Sequence, residues 1–138
     1  MCVRFGVHPA MRSIEMRKEL TDEWQRAGIH EQKDFAILTN ILTKAWSGMT
    51  TGEYKRHKGL TKENLRDNMT NVELALNTLA EVTATEISRQ RNPKGMAQSS
   101  LTAREGGEVA RNARADIESR IGRSVISSKR ALDYISNP

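Results

Sequence analysis

At 138 residues, with 37% hydrophobic, 4% aromatic and 28% charged residues, the chain is long enough for one core, built mainly from Leu, Ile, Val, Ala and Met. No stretch approaches the roughly 18 apolar residues a membrane-spanning helix needs, no apolar run precedes a small-residue cleavage site, and the single cysteine, Cys2, excludes an internal disulfide or a cysteine-clustered zinc site. The expectation is a cytoplasmic protein without a membrane partner. The formal net charge is +5, yet between Ile87 and Ala131 ten basic residues stand against four acidic ones, leaving the rest of the chain at minus one. Such a gathered surplus suggests a polyanion-facing surface, although a solvated helix face explains it equally well.

Residues 1–9 show no periodicity and read as a flexible arm, followed by a single helical domain over 10–138. Ile14, Leu20, Trp24 and Ala27 recur at helical spacing and Gly28 supplies a stop, which predicts a first helix. Phe35, Leu38, Ile41, Leu42, Ala45 and Trp46 form a second stripe closed by Ser47 and Gly48. Thr50 and Glu53 have the spacing of a capping box, in which hydroxyl and carboxylate each accept from an otherwise unpaired backbone N–H, so a short helix should run on to Gly59. Leu65 and Met69 suggest a further brief helix between Leu60 and Met69.

Thr70 and Glu73 repeat the box ahead of Val72, Ala75, Leu76, Leu79, Val82 and Ile87, predicting a long helix that ends before Asn92 and Pro93. Pro93, Lys94 and Gly95 break the pattern, and the polar run from Met96 to Leu101 reads as a bend. Thr102 and Glu105 offer a third box, followed by Val109, Ala113, Ile117 and Ile121, with Gly122 at the end. Gly106 and Gly107 in that helix cost about 1 kcal/mol each relative to alanine, so close packing against another helix is the favoured reason for them. Ser127 and Ser128 are placed to cap a terminal helix through Ala131, Leu132 and Ile135. The whole predicts an all-α, compact bundle of five to seven helices with no sheet. Its expected core includes Phe35, Leu38, Ile41, Leu42, Leu76 and Leu79.

Chemistry is harder to find. His8, His30 and His57 lie far apart with no ligand-spaced neighbours, and no phosphate-cradling glycine loop occurs, so neither a metal nor a cofactor is expected. Acidic pairs such as Glu105 and Glu108 read as surface features rather than as a nuclease centre, and the chain is not expected to be an enzyme. The basic residues are more suggestive. Tyr54, Lys55, Arg56, His57 and Lys58 form a short run followed by Lys62 and Arg66, and Lys55, Lys58 and Lys62 fall on adjacent turns where ammonium groups could track phosphates. Arg89, Arg91 and Lys94 surround the expected bend, and Arg104, Arg111 and Arg114 lie on the next helix. Apart from Arg66, these ten lysines and arginines are the candidate nucleic-acid or partner-binding set.

Several segments resemble a known family. Lys33-Asp34-Phe35-Ala36-Ile37, Tyr54-Lys55 leading to His57-Lys58-Gly59-Leu60, Asn64-Leu65-Arg66-Asp67-Asn68-Met69-Thr70, Glu73-Leu74-Ala75 and Gly106-Gly107-Glu108-Val109-Ala110 are similar, in order, to the C-terminal region of DNA-damage-inducible protein D. That family overlaps with BRO-type phage antirepressors. The resemblance implies a helical module attached to an upstream BRO-like domain, with a role in DNA damage or in phage and mobile-element regulation. It does not imply an enzyme. The sequence departs from the pattern in carrying Ala45-Trp46-Ser47-Gly48-Met49 where relatives tend to have a Gly-Tyr-rich segment, and the upstream domain is expected to be missing.

Two functions of different class are therefore expected. One is a non-catalytic regulator of DNA transactions that binds DNA, RNA or a nucleic-acid-bound protein through its basic surface. The other is a mobile-element inhibitor that blocks a host protein target, such as a CRISPR effector, by protein contact alone.

Overall fold

A computed structural model describes residues 9–135; the arm expected at the N-terminus lies, up to residue 8, outside the described residues. Within them the chain forms six α-helices and one 3-10 turn, with no strand: α1 (Pro9–Arg26), α2 (Gln32–Ser47), α3 (Thr51–His57), the turn at Arg66–Asn68, α4 (Asn71–Arg91), α5 (Gly95–Ile121) and α6 (Ala131–Ile135). The all-α bundle is as the periodicity implies.

Local chemistry explains most of the boundaries. Gly48 ends α2 at φ 82°, where its N–H reaches the Lys44 carbonyl, a left-handed conformation that costs glycine nothing. Both expected capping boxes, Thr50 with Glu53 and Thr70 with Glu73, are closed in both directions. The third is not a cap. α5 runs unbroken from Gly95, the expected bend between Met96 and Leu101 is helical, and the Thr102 hydroxyl donates to the Ser99 carbonyl inside the helix. Gln98 does the capping instead, its side chain accepting from the Lys94 N–H at 2.7 Å. At the last helix Ser127 accepts from the Lys129 N–H, while Asp133 accepts from Arg130 and caps α6, so neither Ser127 nor Ser128 plays the expected part.

Cross-helix pairs fix the directions. Ser13 meets Thr78 and Glu23 meets Arg89, so α1 runs parallel to α4. Gly107 meets Leu42 and Arg114 meets the end of α2, so α2 runs parallel to α5. α4 and α5 form the antiparallel hairpin between these pairs, joined side to side by Ser88 and Thr102.

The glycine pair explains the close seam. A Cβ on Gly106 would stand 2.7 Å from the Ala80 carbonyl oxygen and from Ala84, and one on Gly107 would stand 2.5 Å from Ala45 Cβ and 2.6 Å from the Leu42 carbonyl oxygen. Only bare backbone lets α5 touch α4 and α2 at once, and the buried Ala80, Ala84, Ala103 and Ala110 continue that small-residue surface. Larger residues, among them Leu20, Trp24, Leu38, Leu42, Trp46, Tyr54 and Leu76, fill the rest of the core. Phe35 and Ile41 pack against its edge.

Leu79 is a correction. It is 37% exposed, because the inward stripe of α4 is Leu76, Asn77, Ala80, Glu81 and Ala84 and turns Leu79 aside. Ile14, Val72, Val109 and Ile121 are likewise exposed. With Met16, Leu74, Ala75, Thr78 and Val82, Leu79 lines an apolar groove of about 610 Å³ between α1 and α4.

Candidate functional site

The ten basic candidates separate into groups. Lys58 is not on the surface: its side chain and that of Glu73 are both fully buried and paired at 2.8 Å. Its ammonium also donates to the carbonyls of Ser127 and Lys129, while Glu73 accepts from the Tyr54 hydroxyl and from the Ser127 N–H. Burial and the adjacent carboxylate push the Tyr54 phenol well up, so it stays a neutral donor. This knot ties the segment after α5 to the start of α4, and it removes Lys58 from any phosphate-binding surface. Arg114 is also structural. It pairs with Glu118 at 2.9 Å and donates to the carbonyls of Trp46 and Ser47, satisfying acceptors at the end of α2.

Arg89 and Arg91 form the second group, at the far end of α4, about 30 Å from its start given a rise of 1.5 Å per residue. Arg89 faces Glu19, Glu23 and Glu86, and Arg91 pairs with Glu105. Their charges are largely answered within the protein. Lys94 is exposed beside them. Lys55, Arg56 and Lys62 lie at the opposite end, on and just after α3, so the expected set does not form one continuous surface.

The third group does converge. Arg104 and Arg111, two turns apart on α5, share a groove of about 300 Å³ with Lys44 of α2, floored by Ile41 and Ala45 and edged by Glu108. Neither arginine nor Lys44 forms an ion pair among the described residues. Glu53 lies beyond Lys44: its carboxyl is held below the ordinary value first by hydrogen bonding with Thr50, then in smaller part by Lys44 and Arg56. The groove thus carries three cations against one carboxylate. Its arginines are about 10 Å apart along the helix axis, a span that allows contacts to more than one phosphate of a strand.

A second polar site, absent from the sequence-derived set apart from Lys55, opens between α1 and α2. Those helices stand apart over a cleft of about 390 Å³ lined by Arg17, Thr39, Thr43, Thr51, Lys55, Arg66, Asn77 and Glu81. Glu81, only 1% exposed, accepts two bonds from the Arg66 guanidinium, at 3.0 and 2.7 Å, and faces Arg17 at 3.6 Å. Arg17 also donates to the Thr39 hydroxyl and lies over the Trp24 ring. Desolvation, and then the neighbouring Arg66, lowers the affinity of Arg17 for its proton, against the pull of Glu81. A sequence signal for this site existed. Glu73, Asn77, Glu81, Thr85 and Ser88 make a polar stripe at helical spacing within α4, and all five are buried.

The DinD C-terminal domain matches residues 6–133, nearly the whole chain. The chain belongs to that family. Membership connects this DinD C-terminal domain with DNA-damage-related function, as its segment-by-segment resemblance implies. No curated protein and no solved structure matches it. Among the described residues of the DinD C-terminal domain, no helix is long and apolar enough to cross a membrane and no three His, Cys, Asp or Glu side chains gather as a metal site.

Proposed function

We propose that this DinD C-terminal domain is a non-catalytic regulator of DNA transactions that binds nucleic acid, or a protein loaded with nucleic acid, along the groove between α2 and α5. One observation carries the reading: Lys44, Arg104 and Arg111 converge there without ion pairs among the described residues, whereas Lys58 and Arg114 hold the fold together and Arg89 and Arg91 are paired with carboxylates at the surface. Cations that are not ion-paired can neutralise phosphates and so release the counterions condensed on the nucleic acid, which drives sequence-independent binding. Contacts to phosphate position a strand without reading its bases, so weak sequence preference belongs to this proposal.

The test is fluorescence anisotropy on labelled DNA and RNA with two double variants. Arg104→Gln with Arg111→Gln should lower affinity sharply, and Arg89→Gln with Arg91→Gln should lower it little. Equal losses in both would place the interface elsewhere. Cleavage of the labelled strands in the presence of magnesium or manganese would contradict the non-catalytic part.

The apolar groove between α1 and α4 favours a second reading, inhibition of a host protein by direct contact, because exposed aliphatic residues such as Leu79 suit a protein partner better than a phosphate backbone. A partner captured from host lysate that survives nuclease treatment and is lost on Leu79→Asp would support this reading over the first.

A further inference from the structure

The cleft between α1 and α2 has the chemistry of a ligand site, and it is separate from the α2–α5 groove. Its charged lining is three cations, Arg17, Lys55 and Arg66, against the single carboxylate of Glu81. That carboxylate is already taken by the Arg66 fork and by Arg17. What is left over donates. Lys55 makes no ion pair among the described residues, and the Asn77 carbonyl oxygen is occupied by the Trp46 indole N–H at 3.1 Å, leaving its NH₂ without an acceptor there. The hydroxyls of Thr43 and Thr51 also have no hydrogen-bond partner among the described residues. A buried ion network is often no more stable than an apolar replacement, so a ligand is a further reason for keeping charges here.

We propose that this cleft binds a phosphate monoester. A surplus of two positive charges matches the charge of about −1.5 to −2 that a monoester carries near neutral pH, whereas a phosphodiester or a carboxylate brings one. The Lys55 ammonium and the N–H groups that Arg17 and Arg66 do not spend on Glu81 are charged donors suited to phosphate oxygens, and the open hydroxyls and amide can hold the attached group. The volume, about 390 Å³, lies in the range of small-molecule sites and accommodates a mononucleotide. The same chemistry arises in two ways, as a free nucleotide or as the 5′-phosphate at the end of a strand.

Amide chemical shifts of the full chain, followed during titration at low salt with inorganic phosphate, a deoxynucleoside 5′-monophosphate, and one oligonucleotide with or without its 5′-phosphate, test this. Saturable shifts at Thr39, Thr43 and Asn77 are expected. The phosphorylated oligonucleotide binding tighter than the mononucleotide would assign the strand end, and equal or weaker binding would assign the free nucleotide. Lys55→Gln, at a half-buried position on α3, should weaken the mononucleotide by roughly tenfold with an unchanged melting curve, as expected for loss of one charge-assisted contact. Arg104→Gln with Arg111→Gln should leave mononucleotide binding unchanged, so failure of the groove and failure of the cleft give different results. Absence of saturable shifts with every phosphate species, shifts confined to the α2–α5 groove, or equal affinity in Lys55→Gln would each overturn the assignment.

Discussion

The two sides of α4 solve opposite problems. Toward α5 it offers Ala80 and Ala84 to a bare glycine backbone, and the helices touch with nothing between them. Toward the gap between α1 and α2 it offers Asn77 and Glu81, and the space is held open by guanidinium groups. The first side gains dispersion contacts from close approach and fixes the relative position of α2, α4 and α5. The second spends stability on desolvating ions and keeps a polar cleft in return. Rigidity and chemistry are thus divided between two faces of one helix, and the seam that orders α5 against α2 also sets the groove carrying Lys44, Arg104 and Arg111.

The largest effect should come from the buried knot that closes the bottom of the bundle. Glu73→Ala leaves the Lys58 ammonium without its carboxylate, and losing one partner of a buried pair costs about 3 to 5 kcal/mol, so chemical denaturation should show a large drop in midpoint. An unchanged midpoint would mean that water reaches Lys58. Leu42→Ala removes a core side chain and should cost about 2 to 5 kcal/mol, whereas Leu79→Ala, in the open groove, should cost well under that. Comparable losses at the two sites would show that Leu79 is covered.

Gly107→Ala is a finer probe of the seam. Alanine is the better helix former by about 1 kcal/mol, but its Cβ meets backbone at 2.6 Å, so a net loss of about 1 to 3 kcal/mol is expected in thermal unfolding. Stabilisation instead would show that α5 and α2 have room to separate. The smallest effect concerns acid. Glu118 has its carboxyl held below 4.5, first by the Val125 N–H and then by Arg114. A carboxylate lowered in the folded state contributes stability that is present above its unfolded value and is lost as pH falls through the folded one. The protection of the Val125 amide, its exchange rate relative to the intrinsic rate at the same pH, should therefore fall at acid pH, and Glu118→Gln should flatten that dependence; identical profiles in both proteins would remove Glu118 from this role.

Helix ends were legible where their chemistry is local. Thr50 with Glu53, Thr70 with Glu73, Gly48 and Gly122 each act within one turn of the chain, and the Gly106–Gly107 pair announces a close helix contact without saying which helices make it. The same local signature misled at Thr102, since spacing alone does not reveal that the preceding residues are already helical. Lys58 was not legible. Its neighbours in sequence are charged and suggest solvent, while its partners are Glu73, fifteen positions away, and carbonyls near residue 128. Of the candidate groove, Arg104 and Arg111 could be read from their spacing, but Lys44 joins them only through the packing of α2 on α5. The Arg17, Arg66 and Glu81 network escaped for the same reason.

The measurement that bears most directly on the account is the salt dependence of nucleic-acid binding by the intact chain. If Lys44, Arg104 and Arg111 neutralise phosphates, the logarithm of the association constant should fall linearly with the logarithm of salt concentration, by about 0.7 to 0.9 per phosphate contacted, and the slope should shrink by about two when Arg104→Gln and Arg111→Gln are combined. A slope unaltered by that pair, or no detectable binding of DNA or RNA even at low salt, would contradict it.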